Sequence, residues 1–334
     1  MKRLGVCACA LASALAVHGA TANPGEIQRR DGWLEGSVLD LGAQAPAAEA
    51  RALFAFNLDG ASSERLLAAW PREVEDGARG EGRRQRVLTW RDAKTGLKIT
   101  CAAVVYADFP AVEWTVHFEN EGREPAPILE NVQGLDAVFE RGPQGEFTLK
   151  HYKGDTCAPD LYEPLESTLG PGAALRFAPW GGRGTNGVFP YYNLTMPGGG
   201  VFIAVGWPGQ WAATFTRDAG RSLRIVAGQE LTRLVLRPGE RIRTPLTALL
   251  FWEGEDLDRA QNLWRRWMIH HNLPRTADGR LPAPIMPGNT SGEFNEMCDA
   301  HEENQKYFID RYLEERIPID YWWMDAGWYP CNGW

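Results

Sequence analysis

Between about Trp33 and Trp252, apolar and polar residues alternate in short runs separated by turn residues. Val112, Trp114, Val116 and Phe118 alternate with Glu113, Thr115, His117 and Glu119, the period of a half-buried antiparallel strand. Leu53 to Gly60 is a strand that ends in an Asp-Gly turn. Arg86 to Trp90 and Leu97 to Cys101 flank a loop closed by Gly96, which predicts a hairpin. The pattern predicts further strands at 134–140, 146–152, 175–177, 201–207, 211–216, 222–226, 230–236 and 243–251. Strands recurring at this spacing predict a large β-sandwich.

After Trp252 the period changes. Leu257, Ala260, Trp264, Trp267, Met268 and His271 recur at helical spacing behind Asp256, a suitable N-cap. A proline-rich stretch, 273–287, then leads into a short apolar strand that ends in Asn289-Thr290-Ser291. Glu302 to Arg316 is an amphipathic helix with Phe308, Ile309, Tyr312 and Leu313 on one face, and Pro318 stops it. Ile319 to Met324 is an aromatic strand running into Asp325 and then Gly327. Strand, helix and strand in this order form a βαβ unit, and ligands collect at the carboxyl ends of such strands. Asp325 is therefore the leading candidate for a functional residue; from spacing alone, a carboxylate capping the following turn explains it nearly as well.

The chain of 334 residues exceeds the usual single domain, and its 36 Gly, 22 Pro and 14 Trp suit a turn-rich β protein. A net charge of −8 without basic clusters excludes nucleic acid as a partner. Lys2 and Arg3, the apolar run Leu4 to Val17 and the small residues Ala20-Thr21-Ala22 make an export signal, which predicts a periplasmic or extracellular protein. No segment is long enough to span a membrane, so no membrane partner is expected. Cys101, Cys157, Cys298 and Cys331 follow the signal and permit three pairings.

Several motifs fail on inspection. The glycine-rich 180–187 loop lacks the Gly-Lys-Ser/Thr ending of a phosphate loop and reads as a flexible loop, and His301 to Gln305 lacks the second zincin histidine. No metal or organic cofactor is expected. Phe189-Pro190-Tyr191-Tyr192-Asn193 reads equally as a sugar-lining aromatic cluster and as a sandwich edge packed on the next domain.

Tyr321-Trp322-Trp323-Met324-Asp325-Ala326-Gly327-Trp328, with the helix and proline-flanked strand before it, resembles the second barrel strand of glycoside hydrolase family 36 α-galactosidases and their clan relatives. Gly200 to Trp207 with Trp211 is similar to their late sandwich strands, and Leu263 to Leu273 to their linker helix. The resemblance implies a mainly β N-terminal supersandwich followed by the start of an α/β (β/α)8 barrel that is incomplete in this chain. The implied divisions are a signal peptide at 1–22, the supersandwich at 23–252, a linker helix at 253–282 and the first β-α-β of the barrel at 283–334.

The resemblance also implies retaining hydrolysis of terminal α-galactosides by two carboxylates roughly 5–5.5 Å apart. In the family these follow the fourth and sixth barrel strands. They are expected beyond Trp334, so no catalytic residue is assigned and the chain by itself is expected to be inactive. Asp325 matches the first carboxylate of the family's Asp-Asp-Gly-Trp motif and would accept sugar hydroxyls. Trp328 matches its tryptophan, and Ala326 stands where the second carboxylate is expected. Asn289 ends the first strand, where the family's loop tryptophan is missing, and completes the candidate substrate-binding set. By the same likeness Cys298 and Cys331 would form a disulfide. The implied partner is an α-galactoside or related oligosaccharide, and a homo-oligomer is compatible with the resemblance. A non-catalytic carbohydrate-binding protein and a raffinose-synthase-like transglycosylase are the alternatives. An open barrel start is expected to leave Trp322, Trp323 and the strand edges uncovered and solubility poor.

Overall fold

The computed structural model describes residues 22–43, 50–80, 82–156, 158–289, 299–324 and 327–329. The signal region 1–21, Asp325, Ala326, Cys157 and the Cys298–Cys331 pair lie outside the described residues. The chain divides into two compact units, 1–268 and 269–334.

The predicted β-sandwich is borne out. One sheet of ten antiparallel strands runs Arg72–Ala78, Arg83–Arg91, Leu97–Tyr106, Ala111–Asn120, Leu246–Glu253, Gly199–Gly206, Tyr191–Met196, Phe147–Tyr152 and Pro164–Leu169, with Arg241–Arg243 also paired to Ala111–Asn120. The facing seven-stranded sheet runs Ala174–Phe177, Trp211–Arg217, Ser222–Gln229, Leu129–Glu140, Ala55–Leu58 and Ala61–Ser62, with Arg233–Leu234 beside Leu129–Glu140. Trp90, Ile99, Trp114, Val116 and Phe118 from the larger sheet meet Leu135, Phe139, Phe215, Leu223 and Ile225 from the smaller in one core.

Alternation is clean in Ala111–Asn120 from Trp114 onward, but Gly199–Gly206 and Leu246–Glu253 are buried almost throughout. Their outer face, with Phe202, Ala204, Leu250 and Trp252, is covered by a helix that presents Ala260, Leu263, Trp264 and Trp267. A strand covered on both faces reads as a continuous apolar run, as these two do.

Four α-helices are described: α1 (Pro24–Leu34), α2 (Ser63–Ala69), α3 (Leu257–Trp267) and α4 (Glu302–Glu314). Asp256 caps α3 as expected, its side chain accepting from Arg259 N. The first two helices were not anticipated, although Asn23-Pro24-Gly25-Glu26 is a full capping box with proline at the start. The strands Arg72–Ala78, Pro164–Leu169 and Tyr191–Met196 were also missed, the first two because they lie at exposed edges with few apolar residues. The glycine-rich loop expected to be flexible is instead fastened. Trp211 Nε1 donates to Gly184 O at 2.7 Å, Asn186 Nδ2 to Trp180 O at 2.9 Å, and Gly182 N to Gln210 Oε1 at 3.2 Å.

Of the four cysteines after the signal, Cys101 is a free thiol buried in the sandwich core, and burial pushes its pKa up to about 12. Cys101 is therefore in no disulfide, and none of the three complete pairings is formed; the implied Cys298–Cys331 bridge does not depend on Cys101.

Glu146 accepts from Arg217 Nε at 2.9 Å, from Arg141 Nε at 3.1 Å and from Phe147 N at 3.1 Å. The buried Arg217 guanidinium holds the Glu146 carboxyl below its ordinary range. Because the folded pKa is depressed, this contribution is complete above the unfolded pKa and is lost as pH falls through the folded one. The acid limb of unfolding, followed by circular dichroism from pH 7 downward, is expected to be shallower in Glu146→Gln than in the parent. An unchanged limb would show that the pair contributes nothing.

In the second unit Pro287–Asn289 and Tyr321–Trp323 pair in parallel, in the register Pro287–Tyr321, Gly288–Trp322 and Asn289–Trp323. Asp320 extends the pairing by one step, exchanging N–H···O bonds with Met286 through its backbone N (2.8 Å) and its carboxylate (2.8 Å). Helix α4 joins the two strands. Trp322 stacks on Phe308 (ring centroids 6.3 Å apart, planes 20° apart), meets Tyr312 edge-on and donates its Nε1 to Gln305 Oε1 at 2.9 Å. Gly288 suits this contact, because a Cβ there would lie 3.1 Å from the Trp322 ring and from Ile319 Cδ1, tight enough that one of them would have to give by a few tenths of an ångström. Trp322 is thus half-buried against α4, where the expectation was that it would lie uncovered. Tyr321 and Trp323, on the opposite face, are 62% and 64% exposed.

Candidate functional site

The parallel pair fixes where the candidate residues emerge. Asn289 is the last residue of its strand and sits in register with Trp323, the last of the other, so both chain segments leave the sheet at the same carboxyl end. Asp325 follows Trp323 by two residues in sequence and lies outside the described residues. Gly327 accepts from Ala300 N at 3.2 Å and has φ +99°, a conformation that favours glycine. Trp328 comes next, 60% exposed, with its ring edge-on to Tyr329 at 5.0 Å. Asn289 is exposed. Of the three predicted binding residues, two are therefore described, both accessible and both beyond or at the carboxyl end of a parallel strand. Among the described residues no group of three or more His, Cys, Asp or Glu could hold a metal ion.

A second concave site lies wholly within the sandwich unit. It has a volume of about 300 Å³ and is walled by Tyr152, Tyr162, Phe189, Tyr191, Phe202 and Trp264, with Asn193 and Gln261 as its side-chain amides. The rings form a continuous series. Tyr162 meets Phe189 edge-on at 5.6 Å, Phe189 meets Tyr191 at 4.9 Å, Tyr191 tilts against Trp264 at 5.8 Å, and Trp264 stacks on Phe202 at 5.5 Å. The backbone holds this arrangement. Phe189 N donates to Tyr152 O at 3.2 Å, and Val205 N to Pro190 O at 3.0 Å. Burial raises the Tyr191 phenol above its ordinary range.

The run Phe189 to Asn193 signalled part of this wall. Tyr152, Tyr162, Phe202, Gln261 and Trp264 come from separate strands, a loop and α3, and no local pattern links them. Alternation along Tyr191–Met196 divides the cluster. Tyr191 packs on the outer face with Trp264, whereas Tyr192 joins the sandwich core against Trp211 and Phe215.

No family model and no curated protein matches the chain. Solved structures do share its fold. An α-galactosidase from Lactobacillus brevis aligns with TM-score 0.63 at 14% identity, over 87% of this chain and 40% of that one. The galactosidase domain of an α-galactosidase–sucrose kinase gives 0.61 at 16%, over 84% and 40%. A family GH36 α-galactosidase variant from Geobacillus stearothermophilus in complex with stachyose gives 0.59 at 15%, over 83% and 39%. The resemblance read from the sequence therefore holds at the level of the fold, and this chain spans about 40% of the length of those structures.

Proposed function

We propose that the chain is the sandwich and opening β-α-β of an exported α-galactosidase-like glycoside hydrolase, acting alone or as a homo-oligomer on terminal α-galactosides. The single observation that supports this most is the parallel register of Asn289 with Trp323, the last residues of their two strands; in sequence Asp325 and Trp328 follow the second of them. In this reading Pro287–Asn289 and Tyr321–Trp323 open a (β/α)8 barrel, whose ligands bind at that end. Asp325 accepts hydroxyls of the terminal sugar, Trp328 walls it and Asn289 adds an amide. A carboxylate suits the first task, because hydrogen bonds to a charged group are stronger than neutral ones.

Hydrogen exchange of the full chain with methyl α-D-galactopyranoside tests the reading. Protection is expected across 319–329, and Asp325→Ala is expected to weaken binding there roughly tenfold or more, from about 1.5–3 kcal/mol per charged hydrogen bond. Binding at 319–329 that ignores the substitution would refute the role of Asp325.

A second reading, a sandwich that binds carbohydrate without cleaving it, is favoured by Ala326 at the position of the second motif carboxylate. Both readings predict that residues 1–334 alone do not hydrolyse p-nitrophenyl α-D-galactopyranoside. Measurable turnover would mean that the catalytic pair lies within this chain.

Export carries its own test. Cleavage after Ala22 would free the α-amine of Asn23, whose backbone N already donates to Glu26 Oε2 at 2.9 Å. The new ammonium would strengthen that bond by adding charge. Intact mass from an exporting host is expected to give Asn23 as the first residue; retention of Met1 in the exported protein would count against the signal.

A further inference from the structure

The aromatic pocket is built wholly from residues of the sandwich unit and shares none with the candidate set Asp325, Trp328 and Asn289, and no role has been given to it above. We propose that it binds one neutral sugar ring. Its walls are aromatic faces and edges, and no charged side chain lines it. A pyranose has apolar C–H faces that pack on such rings and a rim of hydroxyls that need both donors and acceptors. The rim here offers the amides of Asn193 and Gln261 and the phenols of Tyr152, Tyr162 and Tyr191.

Asn193 is the observation that points to a ligand. It is only 6% exposed, and its Oδ1 accepts from Trp252 Nε1 at 3.0 Å. An indole nitrogen can only donate, so the amide oxygen is fixed toward Trp252 and the NH2 is turned away from it. That NH2 has no partner among the described residues, and Asn193 itself forms part of the pocket wall. Asn193 Nδ2 is not one of the sealed side-chain atoms that lack a partner, so solvent in the pocket reaches it. A ligand that displaces this solvent leaves the donor unpaired unless it brings an acceptor, and a hydroxyl oxygen does so. The same donor argues against two other occupants. An organic cation would stack in an aromatic cage but would face an N–H dipole of the wrong sign. An apolar side chain would leave the amide unpaired.

The pocket and the Asp325 site are separated by where ligand protection appears. Hydrogen exchange and calorimetric titration of the full chain would use methyl α-D-galactopyranoside, methyl α-D-glucopyranoside and choline as probes. At least one glycoside is expected to protect 152–162 and 189–193. Gln261→Ala and Tyr162→Ala are each expected to weaken that binding about tenfold. Asn193→Asp, which keeps the acceptor for Trp252 and removes the donor, is expected to do the same. Asp325→Ala is expected to leave this binding unchanged.

Several results would overturn the proposal. One is no glycoside protection of these segments up to about 50 mM, weaker than any useful site. Another is binding that survives both Gln261→Ala and Tyr162→Ala. A third is choline binding that Asn193→Asp strengthens. Protection confined to 319–329 would overturn it as well while leaving the Asp325 reading intact.

Discussion

Replacing Trp211 with alanine is expected to destabilise the sandwich unit by about 3–5 kcal/mol. Trp211 is fully buried in the core, edge-on to Tyr192 at 6.4 Å, and begins the strand Trp211–Arg217. Alanine removes a large buried ring from between the two sheets, and close-packed strands relax only partly into the space. The loss has a second part: Gly184 O gives up the 2.7 Å bond from the indole, which fastens the glycine-rich loop to the sheet. Trp211→Phe separates the two parts, since it keeps most of the apolar area and loses the donor, at an expected cost of about 1–2 kcal/mol. Calorimetry should show the alanine variant melting roughly 10 °C lower. A decrease of less than about 3 °C would mean that the ring adds little to the core.

Glu26→Ala is the other large effect. Glu26 is completely buried and joins three parts of the chain. Its carboxylate accepts from Arg259 Nη1 at 2.6 Å and Nη2 at 3.0 Å on α3, from Glu253 N at 3.2 Å at the end of Leu246–Glu253, and from Asn23 N at the start of α1. Removing it leaves the Arg259 guanidinium without its main counter-charge and deletes half of a capping box. One-sided loss of a buried pair costs about 3–5 kcal/mol, and the partial exposure of Arg259, 28%, puts the expectation near the lower end. The raised pKa of Arg259, caused first by its hydrogen bond to Glu26, has the same origin. Glu26→Gln should retain part of the cap and lose less. A Glu26→Gln variant as stable as the parent, measured by urea unfolding, would show that charge is irrelevant at this position, whereas a loss equal to that of alanine would show that the charge carries the whole effect.

These two residues mark different limits of what the chain reveals. Trp211 was legible as a strand residue because its neighbours alternate. Glu26 was not read as structural, although Asn23-Pro24-Gly25-Glu26 carries a complete helix start. What no local signal could give is the partner of Glu26, since Arg259 lies more than two hundred residues away.

The candidate site divides in the same way. The amphipathic face of α4, the stop at Pro318 and the aromatic run Tyr321–Trp323 declared a strand–helix–strand unit from the residues alone, because periodicity of 3.6 and of 2 is written along the chain. Which tryptophan faces the helix was not. Trp322 turns to Phe308 and Gln305, leaving Trp323 exposed, and only the placement of α4 over one face of the pair decides between them. Likewise the sequence offered Phe189 to Asn193 with two equal meanings. Folding gathers Tyr152, Tyr162, Phe202, Gln261 and Trp264 around that run and turns its second tyrosine into the core. By itself the sequence determined the sandwich, the helices that follow it and the position of Asp325 after a strand, since each depends on short-range spacing and turn chemistry. Tertiary structure alone decided the fastening of the glycine-rich loop, the buried carboxylate under α1 and the aromatic pocket. Each of these joins side chains far apart in sequence, and their meeting is set by sheet register and helix docking.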